Sequence, residues 1–118
     1  MKLFNLTKNR VAVENLTIAK NYLQRTRGLL GRKSIDENEG LLIINCNWIH
    51  MFFMKFPIDA VFLKANKTIY KVVKILDNIK PWRLSSPIFR ADSVLEIKSS
   101  TVKNIISVGD ELKILEDL

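Results

Sequence analysis

The residues best suited to chemistry lie in one stretch, residues 46–63, which reads CNWIHMFFMKFPIDAVFL. This stretch contains the single cysteine, Cys46, and the single histidine, His50, and an acid, Asp59, follows just beyond Pro57. A charged group next to so much apolar surface is costly to bury unless it is paired or reaches a wet cleft. His50 and Asp59 are therefore the most informative residues of the chain.

These residues are of types that could support nucleophilic catalysis or bind a metal ion. Cys46 and His50 could act as nucleophile and base, because a nearby imidazole can hold a thiol as the reactive thiolate. The simpler interpretation, which we favour, is a buried cysteine that packs as a small hydrophobic residue. Together with Asp59 the pair could also bind zinc, but structural zinc sites normally need four ligands from Cys and His. We therefore expect no metal and no cofactor.

Arginine offers a further use for Asp59. The guanidinium group of Arg83 or Arg27 could hold the carboxylate through two charge-assisted hydrogen bonds. As a structural feature, such a pair would fix the segment around Trp82 and Arg83 to the framework. As a functional feature, Arg83, His50 and Trp82 would receive an anionic or planar ligand. We favour the structural interpretation, and the ligand pocket remains open as the alternative.

The elements that must position these residues are predicted to be short β-strands. Residues 3–6 and 10–14 flank a polar turn and predict an opening hairpin, and residues 58–63 and 68–76 flank KANK and predict a second one. Three further runs predict strands: LLIIN at 41–45, VLEIK at 94–98 and ELKIL at 111–115. A short helical turn is expected after residue 99.

One helix is predicted in the N-terminal half of the chain. Asn15 or Thr17 is a suitable N-cap, and Gly28 or Gly31 a suitable end. Five residues between these points follow helical spacing, namely Ala19, Tyr22, Leu23, Thr26 and Leu30. About seven strands and one helix predict a mainly β (α+β) fold, an antiparallel barrel or sandwich with the helix covering it. A parallel α/β fold would need a helix between most strands.

Length and composition indicate a single domain spanning residues 1–118. The first residues carry charges too often for a signal peptide, and no uncharged run is long enough to span a bilayer. A lone cysteine cannot form an intrachain disulfide, which fits a reducing compartment. We therefore expect a cytoplasmic protein with no membrane partner, either a monomer or a weak homodimer.

The net charge of +7 raises the question of nucleic-acid binding. Most of the lysines and arginines are scattered along the chain, and only one group is clustered: Arg25, Arg27, Arg32 and Lys33. Recognition of a nucleic-acid backbone normally needs a basic stripe on one face. A nucleic-acid partner is not expected, and a module built on these four residues remains the third alternative.

Several motifs occur in a fixed order along the chain. They are RTRGLLGR at 25–32, CNWIH at 46–50, MKFPID at 54–59, FL at 62–63, PWR at 81–83, Ala91, LE at 95–96 and GD at 109–110. In this set the chain resembles the DUF192 family of small prokaryotic proteins. The resemblance implies a compact, mainly β fold with one helix and says little about chemistry. The chain departs from the family pattern at two turns, at residues 65–67 and 98–100, and these departures leave the block from Cys46 to Asp59 unaltered.

These observations favour a non-enzymatic binding or accessory domain. Its cleft would be lined by His50, Asp59, Trp82 and Arg83, with Cys46 and Arg27 as further candidates, and would accept a small anionic ligand or a peptide. The runner-up is a small enzyme in which His50 or Asp59 is the general base and Arg83 stabilises negative charge. Both hypotheses require the imidazole, the acid and the guanidinium to converge on one open hollow.

Overall fold

The computed structural model describes residues 1–116, and the side chains of Tyr22, Leu23 and Thr26 lie outside the described part. Eight strands occur in this range: β1 (Lys2–Asn5), β2 (Arg10–Val13), β3 (Asn15–Ala19), β4 (Glu39–Ile44), β5 (Ile58–Asn66), β6 (Ile69–Ile79), β7 (Ser93–Lys98) and β8 (Glu111–Leu115). One short helix, α1 (Tyr22–Arg27), precedes β4, and a 3-10 turn (Val102–Asn104) precedes β8. No helix within residues 1–116 is long and apolar enough to cross a bilayer.

The eight strands form one sheet in the order β2-β1-β8-β6-β5-β7-β4-β3. The expected mainly β fold is confirmed, whereas the expected barrel or sandwich is not, because the single sheet is not closed. Neighbouring strands are antiparallel except β3 and β4, which run parallel. A parallel pair needs a crossover connection, and residues 20–38, which include α1, provide it.

The predicted helix is replaced over its first part by a strand. Residues 15–19 form β3, because pairing with β4 uses the same alternating apolar residues that also fit a helical period. The helix has only six residues, and it begins with a capping box in which Asn21 Oδ1 accepts from the Gln24 N–H at 2.9 Å. It ends at Gly28, one of the two predicted ends. The prediction of a helix covering the sheet is therefore not borne out.

The central strands β5 and β7 separate two apolar clusters, because successive side chains of a strand point to opposite faces. On one face, Val61 and Ile97 belong to a buried cluster that also contains Leu3, Leu42 and Leu112. On the other face, Phe62 and Val94 belong to a second cluster, with Ile43, Met51 and Met54. The segment between β4 and β5, residues 45–57, packs against this second face and shapes the candidate site.

Candidate functional site

A cavity of about 340 Å³ opens on the second face of the sheet. It lies between the end of α1, the segment after β4 and the neighbouring strands β4 and β7. Most of its wall is apolar and comes from Leu29, Leu30, Ile43, Ile49 and Met54. Its polar side chains come from Arg25, Arg27, Cys46, His50 and Glu96, and Trp48 adds an aromatic wall.

Glu96 is the buried acid of this cavity. It lies in the middle of β7, opposite Leu41 of β4 and Ala60 of β5, and is only 6% exposed. Burial raises the pKa of its carboxyl group from 4.5 to about 7. No hydrogen bond to that carboxyl group comes from the described residues. A carboxyl group with such a pKa inside a cavity marks a candidate functional site.

His50 lines the same cavity and also has an unsatisfied atom. Its Nδ1 is buried and, within residues 1–116, has no hydrogen-bond partner. The backbone of His50 forms an isolated bridge with Leu84, and its ring lies 5.8 Å from the ring of Trp48 and 5.4 Å from that of Phe52. The imidazole is thus held in place by backbone pairing and aromatic contacts, and its Nδ1 is sealed from solvent.

Gly28 brings the backbone close to the buried acid. Its φ of 49° and ψ of −126° lie in a region that side chains rarely adopt. A Cβ at this position would lie 3.9 Å from Oε1 of Glu96. The glycine therefore both ends α1 and forms part of the cavity wall next to the carboxyl group.

Cys46 lies half-buried in the cavity wall, and its thiol donates a hydrogen bond to the carbonyl oxygen of Trp48 at 2.9 Å. Burial raises the pKa of this thiol, and the nearby Glu96 carboxylate raises it further, while the Arg25 guanidinium acts in the opposite direction. A raised pKa keeps the thiol protonated at neutral pH. The nucleophile hypothesis for Cys46 and His50 is therefore not supported by the electrostatics of the site.

We expect iodoacetamide to alkylate Cys46 at least about tenfold more slowly than it alkylates the thiol of free glutathione near pH 7.5, because little of Cys46 is present as thiolate. Glu96→Gln should accelerate the reaction at pH 8, since it removes a negative charge next to the sulfur. The measurement is the alkylation rate by mass spectrometry from pH 6 to 9. A rate that stays constant down to pH 6 would contradict the prediction and favour a nucleophilic thiolate.

Asp59 does not join the cavity, which corrects the sequence-based hypothesis. It is 0% exposed and pairs in register with Ile97, so its side chain points to the first face of the sheet. Its Oδ1 accepts from the N–H of Asn78 at 2.7 Å, and its Oδ2 accepts from the N–H groups of Thr101 and Val102, both at 3.0 Å. The carboxylate thus holds β6 and the 3-10 turn against β5, and it has no route to His50.

The other predicted residues are divided between the cavity and the outer surface. Arg27 lines the cavity, as do Cys46 and His50. Arg83 is exposed outside it, and its carbonyl oxygen accepts from the Met51 N–H at 2.7 Å. Trp82 is also outside and 60% exposed, so neither residue of the expected Trp82–Arg83 wall takes part in the cavity. The prediction that Asp59 pairs with Arg83 or Arg27 is therefore wrong.

Trp82 instead belongs to a row of aromatic rings that runs outward from the cavity. The row begins at Trp48 and continues through His50 and Phe52 to Trp82, whose ring lies 6.2 Å from that of Phe52. Phe53, 71% exposed, closes the row with its ring 4.9 Å from that of Trp82. A contiguous exposed apolar surface of this kind is typical of a binding region.

Two alternatives from the sequence lose part of their geometric basis. The zinc hypothesis needs Asp59 together with Cys46 and His50, and Asp59 points to the opposite face. In the basic cluster, Arg32 forms an ion pair with Glu39 at 2.9 Å, and Arg27 borders the cavity. The ion pair offsets the charge of Arg32 within this cluster.

Sequence reasoning missed Glu96 as a cavity residue and included it only in the strand at 94–98 and the LE motif at 95–96. A signal was available in the run SVLEI, which forms β7 up to Ile97 and is apolar on both sides of the glutamate. A strand with apolar residues at successive positions is normally covered on both faces. A glutamate within such a strand is therefore expected to be buried, and a buried acid calls for a partner or a ligand.

Fold and site together define a small, mainly β domain with a cavity that contains a buried carboxyl group. The family model DUF192, described as Uncharacterized ACR, COG1430, matches residues 4–114. The chain belongs to this family, and the resemblance found from its motifs is confirmed.

Related archaeal proteins match over nearly the whole chain. A UPF0127 protein of Thermococcus sibiricus is 30% identical over 118 residues, which cover 93% of this chain and 72% of the relative. UPF0127 protein PF1050 of Pyrococcus furiosus is 29% identical, with 94% and 96% covered, and UPF0127 protein PH1112 of Pyrococcus horikoshii is 32% identical, with 92% and 95% covered. These names carry no activity.

Two crystal structures share the fold. A proposed transcription regulator from Sinorhizobium meliloti has a TM-score of 0.75 and 25% identity, and the match covers 95% of this chain and 89% of that one. A protein of unknown function from Novosphingobium aromaticivorans has a TM-score of 0.75 and 19% identity, with 96% and 82% covered. The second similarity concerns the fold alone.

Proposed function

We propose that this protein is a non-enzymatic binding domain whose cavity next to Glu96 takes a small ligand with an apolar body. One observation carries the proposal: Glu96 is buried in an otherwise largely apolar cavity, and no described residue forms a hydrogen bond with its carboxyl group. A ligand that supplies a hydrogen-bond donor can pair with this carboxyl group, and apolar contacts with Ile43 and Met54 add to the binding free energy.

The aromatic row supports a ligand that extends beyond the cavity. Trp48 and His50 belong both to the cavity wall and to the row, so a molecule bound inside can continue along Phe52 and Trp82. Aromatic side chains are enriched in binding surfaces because they offer large contact areas at small entropic cost. A short peptide or a small molecule with an apolar extension therefore fits this surface. A cytoplasmic location is part of the same proposal and is supported by the single cysteine.

The test is a screen of small fragments that include cationic, anionic and neutral molecules. Binding is detected as changes in the backbone amide chemical shifts in NMR spectra. Fragments should shift the resonances of Ile43, Trp48 and His50 in the wild-type protein. Cys46→Phe fills the cavity from its wall and should remove these shifts. Arg83→Ala, which changes an exposed residue outside the cavity, should leave them unchanged. Shifts that persist in Cys46→Phe, or no shifts at the cavity at all, would overturn the proposal.

A second candidate function is a small enzyme in which Glu96 acts as general acid or base. The observation in its favour is the burial of Glu96 in the cavity, which raises the pKa of its carboxyl group to about 7, close to the optimum for proton transfer at neutral pH. In this version Glu96 replaces His50 and Asp59 as the proton-transferring residue, and Arg25 takes the charge-stabilising role expected of Arg83. A substrate screen in which the wild type forms product and Glu96→Gln does not would favour this alternative.

A further inference from the structure

We propose that the group recognised at Glu96 is a primary ammonium carried on a short apolar body. This inference deepens the proposed function and rests on it, because it concerns the same cavity. It names the chemical class of the ligand: an amine that enters the apolar hollow with its charged end toward the carboxylate.

The hydrogen-bonding capacities of the cavity favour an ammonium group. An ionised carboxylate only accepts hydrogen bonds. The carboxylate of Glu96 therefore offers acceptors, while an ammonium group offers three donors. The indole ring of Trp48 adds a π-face of the kind that attracts cations.

The size and the charges of the cavity further limit which ligands fit. A volume of about 340 Å³ lies near the lower limit of ligand pockets, roughly 300–1,000 Å³, which limits the apolar body to a few carbon atoms. Arg25 and Arg27 also line the cavity and can receive a carboxylate. The ammonium group can therefore come from a free amino acid, whose carboxylate reaches arginine, or from the N-terminal residue of a peptide, which continues along the aromatic row.

Binding should weaken as the pH falls, because an ammonium ion pairs with ionised Glu96 only. Burial places the pKa of Glu96 at about 7, so the ionised fraction falls about tenfold between pH 8 and pH 6. The other charged and titratable groups that line the cavity are Arg25 and Arg27 of α1, and Cys46 and His50 after β4. Affinity for an amine should fall by the same factor of about ten over this range.

The test compares ligands that share one isobutyl body and differ in their polar groups. They are 3-methylbutylamine, 3-methylbutanol, 4-methylpentanoate, leucine and leucinamide, titrated by NMR and calorimetry at pH 8. The amine should bind at least about tenfold more tightly than the alcohol. Glu96→Gln should abolish this difference, whereas Glu111→Gln, a matched change at an exposed glutamate outside the cavity, should leave it intact.

The outcomes separate this inference from the proposed function. If leucine binds more tightly than leucinamide, the ligand is a free amino acid. If leucinamide binds more tightly, the ligand is the N-terminal residue of a peptide. Either result supports the inference. Equal binding of amine and alcohol, or preference for the carboxylate, overturns the inference and leaves the proposed function intact, provided that the cavity resonances shift. Absence of amine binding also overturns it, and the mixed-charge screen then decides the proposed function. The pH dependence, measured on the wild type, tests the same inference even if Glu96→Gln does not fold.

Discussion

Asp59→Ala is expected to lower the free energy of unfolding by about 3–5 kcal/mol, among the largest effects of any single replacement in this chain. The carboxylate is fully buried and accepts three backbone N–H groups, from Asn78, Thr101 and Val102. Hydrogen bonds to a charged acceptor are stronger than neutral ones. Alanine leaves all three donors without their acceptor, and the 3-10 turn loses its contact with β5.

Urea unfolding at pH 7, followed by circular dichroism, measures this effect. Asp59→Asn tests the same point more gently: its amide oxygen can replace one carboxylate oxygen, but its NH₂ group faces a donor, so an intermediate loss is expected. Asp77→Asn is the control, because Asp77 is an exposed acid on the neighbouring strand β6. A loss below about 1 kcal/mol in Asp59→Ala would show that the three donors find other partners or reach water.

The free energy of unfolding of Glu96→Gln is expected to increase relative to that of the wild type by about 2–3 kcal/mol between pH 5 and pH 8. In the folded protein the pKa of Glu96 is about 7, against 4.5 for an unburied glutamate. The folded state therefore holds its proton more tightly than the unfolded state. The penalty of ionising Glu96 is absent below about pH 4.5, grows between the two pKa values and is complete above about pH 7.

Unfolding free energies of the wild type and Glu96→Gln, measured in urea at intervals between pH 5 and 8, give this difference directly. Subtracting the two curves cancels the other titrating groups. Glu111→Gln should run parallel to the wild type, because Glu111 is exposed. If the difference between the wild type and Glu96→Gln is independent of pH, Glu96 does not titrate in this range and the pairing argument for the cavity fails.

Much of the fold could be predicted from the sequence, because alternating patterns and polar turns are local signals. The hairpins β1–β2 and β5–β6 and the closing strand β8 lie where the residues indicated. The strand β3 could not be predicted in this way, since residues 15–19 satisfy both a helical and a strand period. Their partner β4 lies about twenty residues further along the chain, and pairing with it decides the conformation.

The candidate site could be predicted only in part, because strand register decides which side chains meet. Cys46, His50 and Arg27 line the cavity. Asp59 does not line the cavity, because neighbouring residues on a strand point to opposite faces. Closeness in sequence to the cavity residues therefore does not place its side chain among them. Glu96 enters from a distant strand, and its role depends on the register that places it opposite Leu41 and Ala60.

The alternation along β5 and β7 also places the buried carboxylate of Asp59 and the cavity on opposite faces of the sheet. Asp59 and its three amides are anchored on one side, whereas the cavity draws on the other side of the same strands. Replacements around the cavity therefore leave that anchor untouched. If the cavity binds a ligand as proposed, its polar side chains can change over evolutionary time while the three amide contacts of Asp59 stay in place.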